Sequence, residues 1–83
     1  MYTLEVKTKA QKHLASLPRK DQKRVVAAFD VLRENPTAGK KLEGKFLGLR
    51  SLRVWPYRIL YAVDHRIITV TVVKVDHRKD AYK

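Results

Sequence analysis

Cysteine is absent from the chain. Disulfide scaffolds, thiolate zinc sites and cysteine nucleophiles are therefore excluded, and a small domain without such staples is expected inside the cell, in the cytoplasm. Long apolar runs are absent as well. The longest apolar-rich stretch, Ile67 to Val73, has Thr69 and Thr71 inside it and falls far short of the roughly 20 residues of a membrane-spanning helix. Met1 to Lys9 lacks the apolar core of a signal peptide. No internal repeat or low-complexity tract is visible. Acidic residues are scarce: eight Asp and Glu stand against 19 Lys and Arg, a formal net charge of +11.

That imbalance makes self-repulsion costly and polyanions attractive. Nucleic acid is the first candidate partner, because neutralising phosphates with Lys and Arg releases counterions. An acidic protein is the second. An anionic membrane is not expected as a partner, since no basic helix carries a bulky apolar face. At 83 residues the chain is expected to be one domain, residues 1–83. It should bury only roughly 60–65% of its unfolded surface. That leaves no room for a large cofactor cradle or a deep pocket, and no cofactor is expected. A hydrophobic content of 45% argues against wholesale disorder.

Hydropathy patterning divides the chain. Residues 2–7 alternate apolar and polar, as a half-buried strand does. Thr8 and Gln11 fit a capping box opening a first helix, with Ala10, Leu14 and Leu17 as its apolar stripe. Pro18 breaks that helix and suits the first turn of a second. The second helix runs to about Asn35, with Val25, Val26, Ala28, Phe29 and Leu32 on one side and Arg19, Lys20, Lys23, Arg24 and Arg33 mostly outward. Asn35-Pro36 stops it. Residues 37–48 hold Gly39, Gly44 and Gly48 with Lys40, Lys41 and Lys45 and read as a long basic loop, a place where function often resides.

The last third reads as strands over Leu49–Val54, Tyr57–Val63 and Ile67–Val75, joined by turns at Trp55-Pro56 and Asp64-His65-Arg66. Short turns imply an antiparallel meander. The third strand, uncharged and proline-free over Ile67–Val73, belongs at the centre of a sheet, where it is shielded from aggregation. Parity puts Leu52, Val54, Ile59, Tyr61 and Val63 on one face, toward the helices, and Ser51, Arg53 and Arg58 on the other. The fold class expected is α+β: an N-terminal strand, a two-helix hairpin, then a three-stranded antiparallel meander. The helices cover one face of the sheet and leave a concave basic face opposite.

Five pieces in this order resemble one family. They are Leu17-Pro18 between the helices, the segment Lys40 to Gly44, Leu52-Arg53-Val54, the strand Tyr57-Arg58-Ile59-Leu60-Tyr61, and the closing His77-Arg78-Lys79-Asp80-Ala81-Tyr82. Together they resemble the RelE/ParE superfamily of bacterial and archaeal toxins over essentially the whole chain. The resemblance implies one of two activities. RelE-like members cleave mRNA in the ribosomal A site, using the ribose 2′-hydroxyl as nucleophile and no metal. ParE-like members share the fold without the cleavage residues and inhibit DNA gyrase. Either kind is held inactive by an acidic antitoxin, and the resulting complex, rather than the toxin alone, contacts operator DNA. A cleavage-dead relative acting only in that repression is a third possibility.

Cleavage by an internal 2′-hydroxyl needs a proton acceptor, a charge clamp on the phosphorane and a proton donor for the leaving 5′-oxygen. Arginine suits the clamp, since its fork matches phosphate oxygens and stays charged. The candidates are Arg53 and Arg58 on the polar face, Arg78 folding over it, Tyr82 as stacking or proton-transfer group, and His77 as the titrating group near the site. Arg78 and Tyr82 are assigned by the resemblance; alone, they would read as part of a solvated tail. Lys40, Lys41, Lys45 and Arg50, with Ser51, are candidates for contacts to mRNA or the ribosome. The best-defined RelE-like sites carry lysines on the strand that here holds Leu49 and Ser51. Tyr57 and Tyr61 read as sheet packing. His13 and His65 lack ligand-spaced neighbours, and no metal site is expected.

Overall fold

The computed structural model of the protein describes residues 1–77. Strand β1 (Thr3–Val6) leads into helices α1 (Thr8–Ala15) and α2 (Arg19–Glu34). A two-residue strand β2 (Lys40–Lys41) and a 3-10 turn at Gly44–Phe46 follow. The chain then forms strands β3 (Arg50–Val54), β4 (Tyr57–Asp64) and β5 (Thr69–His77). The five strands form one sheet in the order β1-β5-β4-β3-β2. All neighbours are antiparallel except β1, which lies parallel to β5. The apolar third strand is therefore internal, as its sequence requires. Among the described residues, no helix is long and apolar enough to cross a membrane.

The core lies between the helices and one face of the sheet. Ala10 of α1 and Val25, Phe29 and Leu32 of α2 pack with Ile59, Tyr61, Val70, Val72 and Val75. The spacing 25, 29, 32 is the inward stripe of α2. Val26, placed inward by the sequence reading, is 46% exposed, because the stripe is only one side chain wide at that turn. Leu14, Leu17, Leu52, Val54 and Val63 pack around the same core.

Other local readings need correction. Thr8 is the first helical residue rather than the cap. Backbone extended through Lys7 (φ −61°, ψ 151°) puts the N-cap there, with no side-chain cap. The Gln11 side-chain amide instead donates to the Val6 carbonyl at 2.9 Å. Lys40 and Lys41 are not in a loop but form an edge strand paired with Ser51 and Arg50. Two residues with one partner strand carry too little pattern to be seen in sequence. The third strand begins at Thr69. Ile67 and Ile68 belong to the preceding turn, where Ile68 takes a left-handed backbone (φ 52°) that a β-branched residue rarely adopts.

Tyr61 fastens the 36–39 segment to the sheet. Its hydroxyl donates to the Pro36 carbonyl and accepts from the Gly39 N–H, both at 2.8 Å. Position 39 must be glycine, since a Cβ there would lie 2.5 Å from the Tyr61 hydroxyl and 2.8 Å from the Ser51 carbonyl. Burial raises the Tyr61 pKa; the Gly39 N–H and the Arg50 charge oppose the shift without cancelling it.

Candidate functional site

The sheet register fixes what the second face presents. Arg53 of β3 stands directly opposite Arg58 of β4, and Arg58 stands opposite Asp76 of β5. The next row of the same parity runs Lys40, Ser51, Leu60, Lys74 across β2, β3, β4 and β5. Directly opposed side chains share a face. Leu60 is buried yet stands outside the helix-side core, as this parity demands. Ser51 is buried too.

A bulge assembles this face. The β4–β5 register shifts between Leu60, paired with Lys74, and Tyr61, paired with Val72, so Val73 is the extra residue on β5. Without it, strict alternation from Val70 and Val72 would turn Lys74 and Asp76 into the core. With it, Val75 goes to the core and the two charged residues join Arg58. There the Lys74 ammonium lies 2.8 Å from an Asp76 oxygen, with side chains only 15% and 13% exposed. The other Asp76 oxygen is 3.5 Å from His13 Nδ1. This contact comes from α1, which packs along β5 beyond the last β1 pairing at Val72.

The sequence candidates divide by position. Arg53, Arg58, Lys40 and Ser51 come together on the face away from the helices. His77 pairs with Tyr57 and takes the helix-side parity, its ring edge-on to the Tyr57 ring at 5.9 Å. The Tyr57 hydroxyl donates to Asp21 of α2 at 2.9 Å, and this bond, with burial and the Asp21 charge, raises the Tyr57 pKa. Lys41 and Arg50 also take the helix-side parity. Arg50 donates to the Gly39 carbonyl at 2.8 Å, so its guanidinium braces the 37–39 backbone. Lys41 and Arg50 line a shallow cleft of about 360 Å³ with Leu47, Leu49, Val63 and His65. Lys45 sits in the 3-10 turn, its ammonium 5.3 Å from the centre of the Phe46 ring. Arg78 and Tyr82 lie outside the described residues.

Lys74 and Asp76 were not singled out from the sequence. The available signal was the doublet Val72-Val73, where the apolar–polar alternation of Thr69–Val72 changes phase before Lys74-Val75-Asp76.

Chemically, this face offers Arg53, Arg58 and Lys74 around one carboxylate, with Lys40 at the end of the adjoining row. Like charges directly opposed, as Arg53 and Arg58 are, cost stability, and an anion bound between them would relieve that cost.

Comparison with known proteins agrees with this architecture. Residues 4–82 match the family described as ParE toxin of type II toxin-antitoxin system, parDE. The chain is 38% identical over 84 residues to Toxin RelG of Mycobacterium tuberculosis, covering 99% of this chain and 97% of that one. It superimposes on a chain of the toxin-antitoxin complex RelBE2 of the same organism with a TM-score of 0.86, at 38% identity over 93% of this chain and 98% of that one. A chain of the archaeal RelE-RelB complex of Pyrococcus horikoshii gives a TM-score of 0.82, at 27% identity over 96% and 98% of the two chains. By fold, sequence and length alike, the chain belongs to the RelE/ParE superfamily of toxins of type II toxin–antitoxin systems.

Proposed function

We propose that this toxin is a ribosome-dependent mRNA endoribonuclease that arrests translation. The observation that carries the reading is the Arg53–Arg58 pair, two arginines directly opposed in the sheet register on the face that the helices leave free. In the proposed reaction the ribose 2′-oxygen loses its proton and attacks the adjacent phosphorus. The bond to the 5′-oxygen breaks, and that oxygen takes up a proton. The products are a 2′,3′-cyclic phosphate and a 5′-hydroxyl. Arg53 and Arg58 hold the non-bridging oxygens as charge builds on the phosphorane, from neighbouring sheet positions that bring both side chains to one place. Arg78 and Tyr82 are assigned to the same reaction as clamp and stacking or proton-transfer group. The place of His77 beside Tyr57 favours an indirect role for it.

The partner proposed for regulation is an acidic antitoxin. The net charge of +11 favours such a chain, and two structural relatives were solved in toxin–antitoxin complexes.

The test is a cell-free translation reaction with the purified protein, with and without ribosomes, in which mRNA ends are mapped by primer extension. Cuts within codons that require ribosomes are expected. Arg58→Ala and Arg78→Ala should each slow cleavage by about 10²-fold, the usual loss on removing a donor to developing charge. Full cleavage by both folded variants would remove these arginines from the site. The family-model match to ParE toxins favours a second reading, inhibition of DNA gyrase. Intact mRNA with normal translation, together with blocked supercoiling, would establish it.

A further inference from the structure

We propose that Lys74 is a further phosphate-contacting residue of this face, and that Asp76 positions its ammonium beside Arg58. The inference deepens the endoribonuclease reading and rests on it for the reaction.

The bulge at Val73 is the first support. It turns Lys74 and Asp76 out of the core and onto the face of Arg53 and Arg58. Asp76 is the direct cross-strand partner of Arg58. Lys74, two residues earlier on β5, is therefore the diagonal neighbour of Arg58, at roughly 7–8 Å between backbones. One polyanion backbone lying across the two rows meets both side chains.

The burial of the ion pair is the second. Only 15% of the Lys74 side chain and 13% of the Asp76 side chain are exposed, with 2.8 Å between the charged atoms. Exposed lysines swing freely and pay rotamer entropy on binding. Here the stem is packed and the ammonium is fixed by a carboxylate. Burying such a pair is a poor route to stability, because desolvation offsets most of the attraction. A positioned cation is the better account of its place.

Charge balance is the third. In these two rows of described residues, Arg53, Arg58, Lys74 and Lys40 outnumber the single carboxylate Asp76. Asp76 therefore orients Lys74 without neutralising the patch. As a phosphate enters, the ammonium can keep Asp76 through one N–H and donate another to a non-bridging oxygen, since lysine carries three donors.

The test compares the full-length chain with Lys74→Met, which keeps the packed stem and removes the charge, and with Lys74→Gln and Lys74→Arg. Two readouts are taken: single-turnover cleavage of ribosome-bound mRNA, and the salt dependence of binding to single-stranded RNA. Lys74→Met and Lys74→Gln should cleave about 10²-fold more slowly at saturating substrate, with Lys74→Arg recovering most of that loss. Their log–log salt slope should be shallower by about 0.7, the value of one lost phosphate contact on a single strand. Lys74→Gln decides the matter if Lys74→Met fails to fold. Folded charge-free variants that cleave within threefold of the parent, with an unchanged slope, would overturn the proposal and leave the endoribonuclease reading intact. A parent chain that binds RNA without cutting it would overturn that reading, and the slope alone would then decide whether Lys74 contacts phosphate.

Discussion

Replacing Tyr61 with phenylalanine tests how the basic edge strand is held. The Tyr61 ring is fully buried, and its hydroxyl serves two backbone groups, the Pro36 carbonyl and the Gly39 N–H, each at 2.8 Å. Tyr61→Phe leaves the packing intact and deprives both groups at once. The space left by one oxygen is too small to admit a water. Each buried group left unsatisfied costs about 1–3 kcal/mol, and partial relaxation of the segment brings the pair to about 2–4 kcal/mol. A chain of 83 residues has a total stability of about 4–12 kcal/mol, so the loss is a large fraction of it. In urea unfolding the midpoint should fall by about 1–4 M at an m-value of about 1–2 kcal/mol/M that the substitution leaves unchanged. Amide exchange at Gly39 should quicken, because its acceptor is gone, and Lys40, the next residue, should lose its pairing with Ser51. A stability change below about 0.5 kcal/mol, the range of an inconsequential surface substitution, would refute the reasoning.

Deleting Val73 should abolish folding, since restored alternation would drive Lys74 and Asp76 into the core. Val73→Thr keeps the extra residue and should stay folded, and circular dichroism of the two variants checks this. Asp21→Ala removes the acceptor and charge that raise the Tyr57 pKa, so Tyr57 should titrate nearer the ordinary tyrosine value of 10.0, followed by ultraviolet absorbance. The raised pKa of Tyr61 means that the fold favours the neutral hydroxyl. That stabilisation is fully present below the ordinary tyrosine pKa and is lost as pH rises through the raised one. The stability gap between the parent and Tyr61→Phe should therefore narrow in strongly alkaline solution, and paired denaturant titrations across that range measure it.

Much of the fold was legible in the sequence because local pattern and tertiary environment agree there. Val25, Phe29 and Leu32 recur at helical spacing and are the residues α2 buries. Leu52 and Ile59 share a parity and meet across β3 and β4. Leu17-Pro18 separates the helices, with the Pro18 carbonyl accepting from the Asp21 and Gln22 N–H groups. The misreadings fall where a long-range partner decides. Lys40 and Lys41 are a strand only because β3 lies beside them. Arg50, a candidate for RNA or ribosome contact, also donates to the Gly39 carbonyl, a bond that only the fold reveals. His77, a candidate titrating group of the closing motif, is set beside Tyr57 by β-sheet register, a placement that the chain order does not show.

By itself, the sequence determined the net charge, the order of the major elements and the apolar stripe of the core, since each is a sum or a local period along the chain. Tertiary structure alone decided which cations meet. One extra residue in β5 reverses the facing of every side chain after it, and so brings Lys74 and Asp76 onto the face where the β3–β4 register sets Arg53 against Arg58. Periodicity within a segment fixes which side chains alternate, but only pairing with another strand fixes what stands opposite them.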